Sequence, residues 1–395
     1  MEKRWGGDVN GQKASVVVVG LGAFGAATLY QLAKRGVDCI GVDARRPPHD
    51  LGSSHGETRI TRCAVGEGQD YAPFALASHR IWRELEAATG ETLLEACGCL
   101  IMASPGLSAQ HHGKSDFVGR SIASARAFGI PHEEMTGEAA MTRFPQLRNA
   151  EGARAYFEPG GGFVHPERCI AAQLAEAERF GARIVTARVG AVSERAAGVT
   201  LATDAGPIEA ERAIVAAGAW TGPLLGEPFA SLLKVSRQVL HWYPADDATY
   251  APGRFPTIIW MHGEGQEDYF YAFPVLPGTG RFKAATEQYG VTTSADDLDR
   301  DVRPEEAARL HAVSLADRLA GVGPVAVRSA ACLYTVTPDS GFIVDRHPAM
   351  ERVTVVSACS GHGFKHSAGI GEALARAHCG AAGAVPAAFS LRRFG

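Results

Sequence analysis

The chain has 395 residues, 46% apolar and 21% charged, with a formal net charge of −4. That length exceeds a comfortable single core, so two joined domains are expected, and the near-neutral charge excludes any general attraction to nucleic acid. No run of about eighteen apolar residues exists to span a membrane as a helix, and eight cysteines are too few for a disulfide scaffold.

The stretch Met1–Ala14 is polar and glycine-rich, without the apolar centre of a signal peptide, and is expected to be a disordered lead-in to a cytoplasmic protein. Ser15-Val16-Val17-Val18-Val19 then has the continuous β-branched character of a buried parallel strand. It runs into Gly20-Leu21-Gly22-Ala23-Phe24-Gly25 and a helix through Ala26, Leu29, Leu32 and Ala33, stopped by Gly36. Cys39-Ile40-Gly41-Val42-Asp43 is the next strand. Gly20, Gly22 and Gly25 permit a tight turn and close approach of a pyrophosphate to a helix N-terminus, and Asp43 stands where it can accept from an adenosine ribose. Strand, glycines, helix, strand and acid together are a strong dinucleotide-binding signal, where the glycines alone are weak.

An irregular stretch, Ala44 to Arg62, precedes an amphipathic helix over Tyr71 to Ala88. Strand and helix signals alternate from about Thr92 to Leu147, and a further helix is expected over Pro166 to Gly181. The strand Ala182–Val185, a hairpin-like passage and the strand Ala213 to Trp220 follow, the last ending in Ala-Gly where a backbone can approach a nucleotide. From Leu232 to Ala285 the pattern changes to alternating, aromatic-rich strands, as in an inserted, mostly antiparallel sheet. A helix over Arg303 to Ala320, the strand Val353–Val356 and a helix from about Phe364 to Cys379 complete the order.

Four segments concentrate reactive side chains. In Gly52-Ser53-Ser54-His55-Gly56-Glu57-Thr58-Arg59-Ile60-Thr61-Arg62, the two arginines would share a face if this were a helical turn, and would suit a carboxylate or a flavin; a basic loop paired with local acids is the plainer reading. Strand alternation would put Lys283, Ala285 and Glu287 on one face, where a lysine among apolar neighbours favours a negatively charged intermediate; edge-strand lysines are commoner in general. Cys332, in Ala331-Cys332-Leu333-Tyr334-Thr335, reads by default as a buried structural thiol. Finally, Gly361 and Gly363 precede a helix and expose amides that stabilise negative charge, with Lys365 in the first turn able to reach a carboxylate. Cys97 and Cys99 lack the usual CxxC spacing, the histidines include no HExxH, and His111-His112 sits in a polar loop where solvation is expected. No metal enzyme is expected.

Val16 to Asp43, Gly52 to Arg59, the Cys332 stretch and Ser360 to Lys365 together resemble the monomeric sarcosine oxidase and N-methyltryptophan oxidase family of flavoproteins, over nearly the whole chain. The resemblance implies an α/β fold, with an FAD-binding Rossmann-like domain split over 1–90, 150–222 and 322–395. A substrate domain of α+β type with a mostly antiparallel sheet would cover 91–149 and 223–321. It implies FAD attached through a thioether to Cys332, oxidation of the C–N bond of a secondary amino acid, and dioxygen reduced to hydrogen peroxide. The protein would be a monomer whose partners are its substrate and oxygen.

Carried over residue by residue, Arg62 and Lys365 match the family's substrate-carboxylate clamp, which suits two cations converging on one anion. Lys283 matches the lysine credited with oxygen activation, His55 and Arg59 match positions against the flavin ring, and Tyr334 and Tyr271 match the lining of the substrate cavity. Glu287 departs from the pattern, standing where sarcosine oxidases have a histidine. It resembles instead the glutamate of fructosyl amino acid oxidases, which contacts a substrate amino group, although Ala284-Ala285-Thr286 does not reproduce the segment around it. Fructosyl amino acid oxidation is therefore the second reading, and a flavin-binding module without catalysis a third.

Overall fold

The computed structural model describes residues 12–107, 111–265 and 267–395. Most of the lead-in expected at Met1–Ala14 thus lies outside the described residues, and its last part, from Gln12, is already strand.

Continuous β-branched runs build the first sheet, because strands covered on both faces are stabilised by uninterrupted apolar side chains. Gln12–Val19 is flanked by parallel Cys39–Asp43 on one side and parallel Ile208–Val215 on the other. Arg183–Thr186 extends one edge and Met350–Ser357 pairs parallel with Ile208–Val215. The hairpin Val189–Arg195 with Gly198–Thr203, and the strand Ile343–His347, add antiparallel margins. Val16, Val17 and Val18 are fully buried, and the helices Ala23–Lys34, Pro166–Arg179 and Ser367–His378 share one apolar core on this sheet. This is the expected split Rossmann-like unit.

The second sheet runs in the order Arg328–Val336, Lys234–Pro244, Arg281–Ala285, Tyr269–Ala272, Thr257–Met261, Cys99–Ala103, Arg154–Glu158, Glu133–Thr136. Its pairings are antiparallel apart from Thr257–Met261 on Cys99–Ala103. Boundaries drawn at 150 and 322 cut across it, since Arg154–Glu158 and Arg328–Val336 are two of its strands. The alternation expected for Leu232 to Ala285 is largely lost: Ser236 to Tyr243 are all buried. One face is covered by the helical segment at Pro304–Leu310, where Tyr243 Oη donates to Ala307 O, while Trp242 on the other donates to Glu57. That helix is shorter than expected, giving way to a π-helical turn at His311–Leu315.

A three-stranded ribbon of Arg59–Thr61, Gly162–Val164 and Leu94–Glu95 links the two sheets. Arg59–Arg62 is therefore not a helical turn. Residues three apart on an extended chain point oppositely, which sends Arg59 toward Cys332 and Arg62 toward Glu67. No helix among the described residues is long and apolar enough to cross a membrane.

Candidate active site

A cavity of about 820 Å³ runs from the glycine turn to the second sheet, with Gly20, Gly22, Asp43, Tyr334, Gly361 and Gly363 in its wall. Gly20 has φ +83°, and a Cβ on Gly25 would lie 1.7 Å from the Gly20 carbonyl oxygen, so both positions need glycine for the helix to enter so close to the strand. Asp43 Oδ2 accepts from Leu21 N at 2.7 Å and thereby braces the turn. The helix N-cap is Gly22, which has no side chain of its own; Ala23 N donates to Ser54 Oγ at 3.3 Å, and a Cβ on Gly22 would meet only that oxygen within 4 Å, at 3.6 Å. The turn is thus tight behind and open in front, as an approaching pyrophosphate requires.

Cys332, on the strand Arg328–Val336, is buried beside this cavity, its Sγ 3.8 Å from Ser53 O and from Arg59 Nη2. Burial pushes the thiol up, but a hydrogen bond and charge from His55, with Arg59, outweigh it and bring the thiol down to about 7. A thiol so acidified is a nucleophile near neutral pH, unlike the structural cysteine that is the default. Arg59 is fixed by the Thr58 and Ser53 carbonyls at 2.8 and 2.9 Å. Lys283 Nζ donates to Gly56 O at 2.6 Å and to Thr58 O at 2.8 Å; burial and then Arg59 hold it well below its ordinary value. The shared face with Glu287 does not form, because the strand stops at Ala285.

A smaller cavity of about 70 Å³ adjoins Arg62, Lys365, Tyr271, Tyr334, Glu287 and Gly361. Arg62 and Lys365, separated in sequence, do meet, and they meet on a carboxylate that the sequence reading missed. Glu67 Oε1 accepts from Lys365 Nζ at 3.0 Å and from Arg62 Nη2 at 3.3 Å. Burial would raise the Glu67 carboxyl, but Lys365 and then Arg62 outweigh it and hold it well below the usual range. Burial draws Lys365 down to about 8 against the pull of Glu67.

His111 and His112 are buried rather than solvated. His111 packs edge-on to the rings of Phe117 and Tyr269 at 4.6 and 4.5 Å, and burial, then His112, holds it far below its ordinary value and neutral. His112 lies between two carboxylates, Nε2 3.1 Å from Glu287 and Nδ1 3.4 Å from Glu67. Burial opposes its charge, yet Glu287 and Glu67 raise it above the usual imidazole value. Tyr289 donates to the other Glu287 oxygen. Ligand atoms of His111, His112 and Glu287 lie within 4.8 Å of one another, close enough to share a cation. Gly361, at φ +81°, leaves room for this group: a Cβ there would lie 2.5 Å from Glu287 Oε1. The paired histidines were the available sequence signal; nothing local marked them as buried.

A nucleotide-binding sheet with a glycine turn open to a long cavity fits a dinucleotide cofactor. The chain belongs to the FAD dependent oxidoreductase family, whose model matches residues 15–377. More closely, it is a relative of the monomeric sarcosine oxidases and N-methyl-L-tryptophan oxidases, and is a flavin-dependent amine oxidase. It is 36% identical to monomeric sarcosine oxidase of Bacillus sp. (strain B-0618), over 91% of each chain. With N-methyl-L-tryptophan oxidase of Yersinia pestis (strain Pestoides F) the identity is 31%, over 91% of this chain and 93% of that one. Among solved structures the fold matches NikD, an unusual amino acid oxidase essential for nikkomycin biosynthesis, with a TM-score of 0.81 at 22% identity, covering 96% of this chain and 97% of NikD.

Proposed function

We propose that the protein oxidises secondary amino acids, N-methyl or cyclic, as a monomer with FAD held covalently on Cys332. The observation that carries this reading is the convergence of Arg62 and Lys365 on one carboxylate at the edge of an aromatic-walled cavity. The relatives' names support the amine class and the monomeric state.

When bound, FAD would supply the acceptor for the hydride equivalent leaving the C–H bond next to the substrate nitrogen, whose N–H proton is lost as C–N becomes C=N; the two electrons and two protons would reduce dioxygen to hydrogen peroxide, and water would hydrolyse the imine. The chain's residues supply binding and position. Arg62 and Lys365 hold the substrate carboxylate with two charged donors, which fixes the amino acid's orientation. Tyr271 and Tyr334 line the cavity and keep bulk water from the reacting carbon. Cys332, acidified by His55 and Arg59, is the anchoring nucleophile, and Lys283 puts a proton-bearing nitrogen next to the His55–Arg59 segment for oxygen chemistry.

Glu287 does not favour the fructosyl amino acid alternative. Its carboxylate is engaged by His112 and Tyr289, and Ala284-Ala285-Thr286 does not reproduce the fructosyl amino acid oxidase segment. The test is a peroxide-release screen over sarcosine, other N-methyl amino acids, proline, pipecolate and fructosyl amino acids. Peroxide from the secondary amino acids is expected. Dye reduction without peroxide would replace the oxidase by a dehydrogenase, and turnover of fructosyl amino acids alone would replace the substrate class.

A further inference from the structure

His111 lies in the wall of the small cavity and is only 5% exposed, yet its Nδ1 has no hydrogen-bond partner among the described residues. A buried imidazole nitrogen left alone costs free energy that a ligand recovers. The ring is placed by packing, edge-on to Phe117 and Tyr269. Its backbone is tied into a tight turn, with His111 N donating to Lys114 O at 2.9 Å and Lys114 N to His111 O at 3.0 Å.

Two further donors share the spot. His112 Nε2 lies 3.1 Å from the Glu287 carboxylate, and ligand atoms of His111, His112 and Glu287 all lie within 4.8 Å of one another. Two ligand atoms on one tetrahedral Zn²⁺ stand about 3.3 Å apart, so the His112–Glu287 edge already has that spacing. Both donors are backed from behind. His112 Nδ1 faces Glu67 at 3.4 Å, the carboxylate–histidine arrangement that orients a metal-binding imidazole, and Tyr289 donates to Glu287. Gly361 keeps the pair uncrowded: a Cβ there would lie 2.5 Å from Glu287 Oε1 and 3.1 Å from His112 Nε2. The neighbouring cations Arg62 and Lys365 are both held by Glu67.

We propose that His111, His112 and Glu287 form a binding site for a divalent ion of the Zn²⁺ class in the wall of the small cavity. Two imidazoles and one carboxylate are a donor set matched to Zn²⁺; Mg²⁺ and Ca²⁺ take oxygen ligands instead. The edges to His111 shorten by rotation of its ring as the ion binds. Three protein ligands leave a fourth position for water or for an anion in the cavity. The ion clasps the 111–112 loop to the segment after Ala285, whatever substrate the cavity takes.

The test is equilibrium dialysis of the flavin-loaded protein against Zn²⁺, with bound metal measured by atomic absorption. It is run in a Cys379→Ser background, because that exposed thiol would itself take up Zn²⁺. One tightly held equivalent is expected, with none from Mg²⁺, and Zn²⁺ should raise the Tm because it binds only the folded chain. His111→Phe keeps an aromatic ring against Phe117 and Tyr269 while removing the donor, and Glu287→Gln keeps the side-chain shape. Each should weaken Zn²⁺ binding by at least about tenfold, since losing even a residue behind the ligands costs about 10- to 100-fold. The flavin spectrum reports whether each variant is folded. No Zn²⁺ held by the parent protein, or full affinity in either folded variant, overturns the proposal. A failed peroxide screen would end the amine oxidase reading and leave this measurement unaffected.

Discussion

Lys365 Nζ donates to Glu67 Oε1 at 3.0 Å, so the cation proposed to take a ligand carboxylate already holds a carboxylate of the chain. Arg62 shares the same oxygen. Ligand binding therefore adds a second anion to an existing pair and does not fill an empty cationic pocket.

The pair sets a pH limit. Burial draws Lys365 down to about 8, while Glu67 opposes that shift. The ammonium is present below that value and is lost as pH rises through it. Pentanoate affinity, followed by the flavin spectrum, is expected to be steady up to about pH 8 and then to fall, approaching about tenfold per pH unit if the charge is obligatory. Glu67→Gln removes the anion that supports the charge, so the break is expected at lower pH. A break that stays put or moves upward rejects the coupling.

Cys332 is expected to attach FAD at a rate that follows its thiolate. With the thiol near 7, flavin incorporation into the apoprotein should accelerate as pH approaches 7 and level off above it. The native protein should remain yellow after acid precipitation, and Cys332→Ala should release its flavin and lose most activity. Complete release from the native protein would sink the thioether assignment.

Lys283→Met separates two roles. Its side-chain nitrogen donates to the Gly56 and Thr58 carbonyls inside the protein. Each carbonyl keeps a second donor, Thr58 N on Gly56 O and Arg59 Nη1 on Thr58 O, so losing the lysine is expected to cost about 0.5–1.5 kcal/mol per hydrogen bond, read by denaturant unfolding. If the lysine also assists oxygen, flavin reoxidation in stopped flow should slow far more than reduction by substrate. Equal slowing of both half-reactions would leave the lysine a structural donor only.

Two glycines of the turn should respond differently to alanine. At Gly25 the new Cβ would lie 1.7 Å from a backbone oxygen, so the turn cannot close and flavin-loaded soluble protein is not expected. At Gly22 the nearest atom within 4 Å is the Ser54 hydroxyl at 3.6 Å. Gly22→Ala should fold and lose FAD affinity, because its methyl would occupy space at the cavity wall. Normal FAD affinity in Gly22→Ala would reject close pyrophosphate approach there.

Much of the nucleotide half was legible because its signals are local. The Val16–Val19 run, the three glycines and Asp43 follow one another within a single strand–helix–strand unit, and the structure keeps them so. The second sheet was legible in kind but not in extent. Arg154–Glu158 and Arg328–Val336 join it from distant parts of the chain, and strand pairing between remote segments leaves no periodic mark in either. The Arg59–Arg62 spacing was misleading for a related reason: three residues apart means one face on a helix and opposite faces on a strand.

By itself the sequence determined a dinucleotide-binding unit, because its glycine spacing and β-branched runs are contiguous, and FAD as the cofactor followed from its family resemblance. Only the tertiary structure decided the charge around the small cavity. Glu67, His112, Glu287 and Lys365 come from four separate segments, and none is flanked by a pattern that announces a partner. Their ionisation depends on distance and on exclusion of water, quantities that arise when the two sheets and their loops close on one another. Cys332 shows both halves of the argument: its segment carries the family resemblance, while its lowered thiol arises from His55 and Arg59 once the fold brings them beside it.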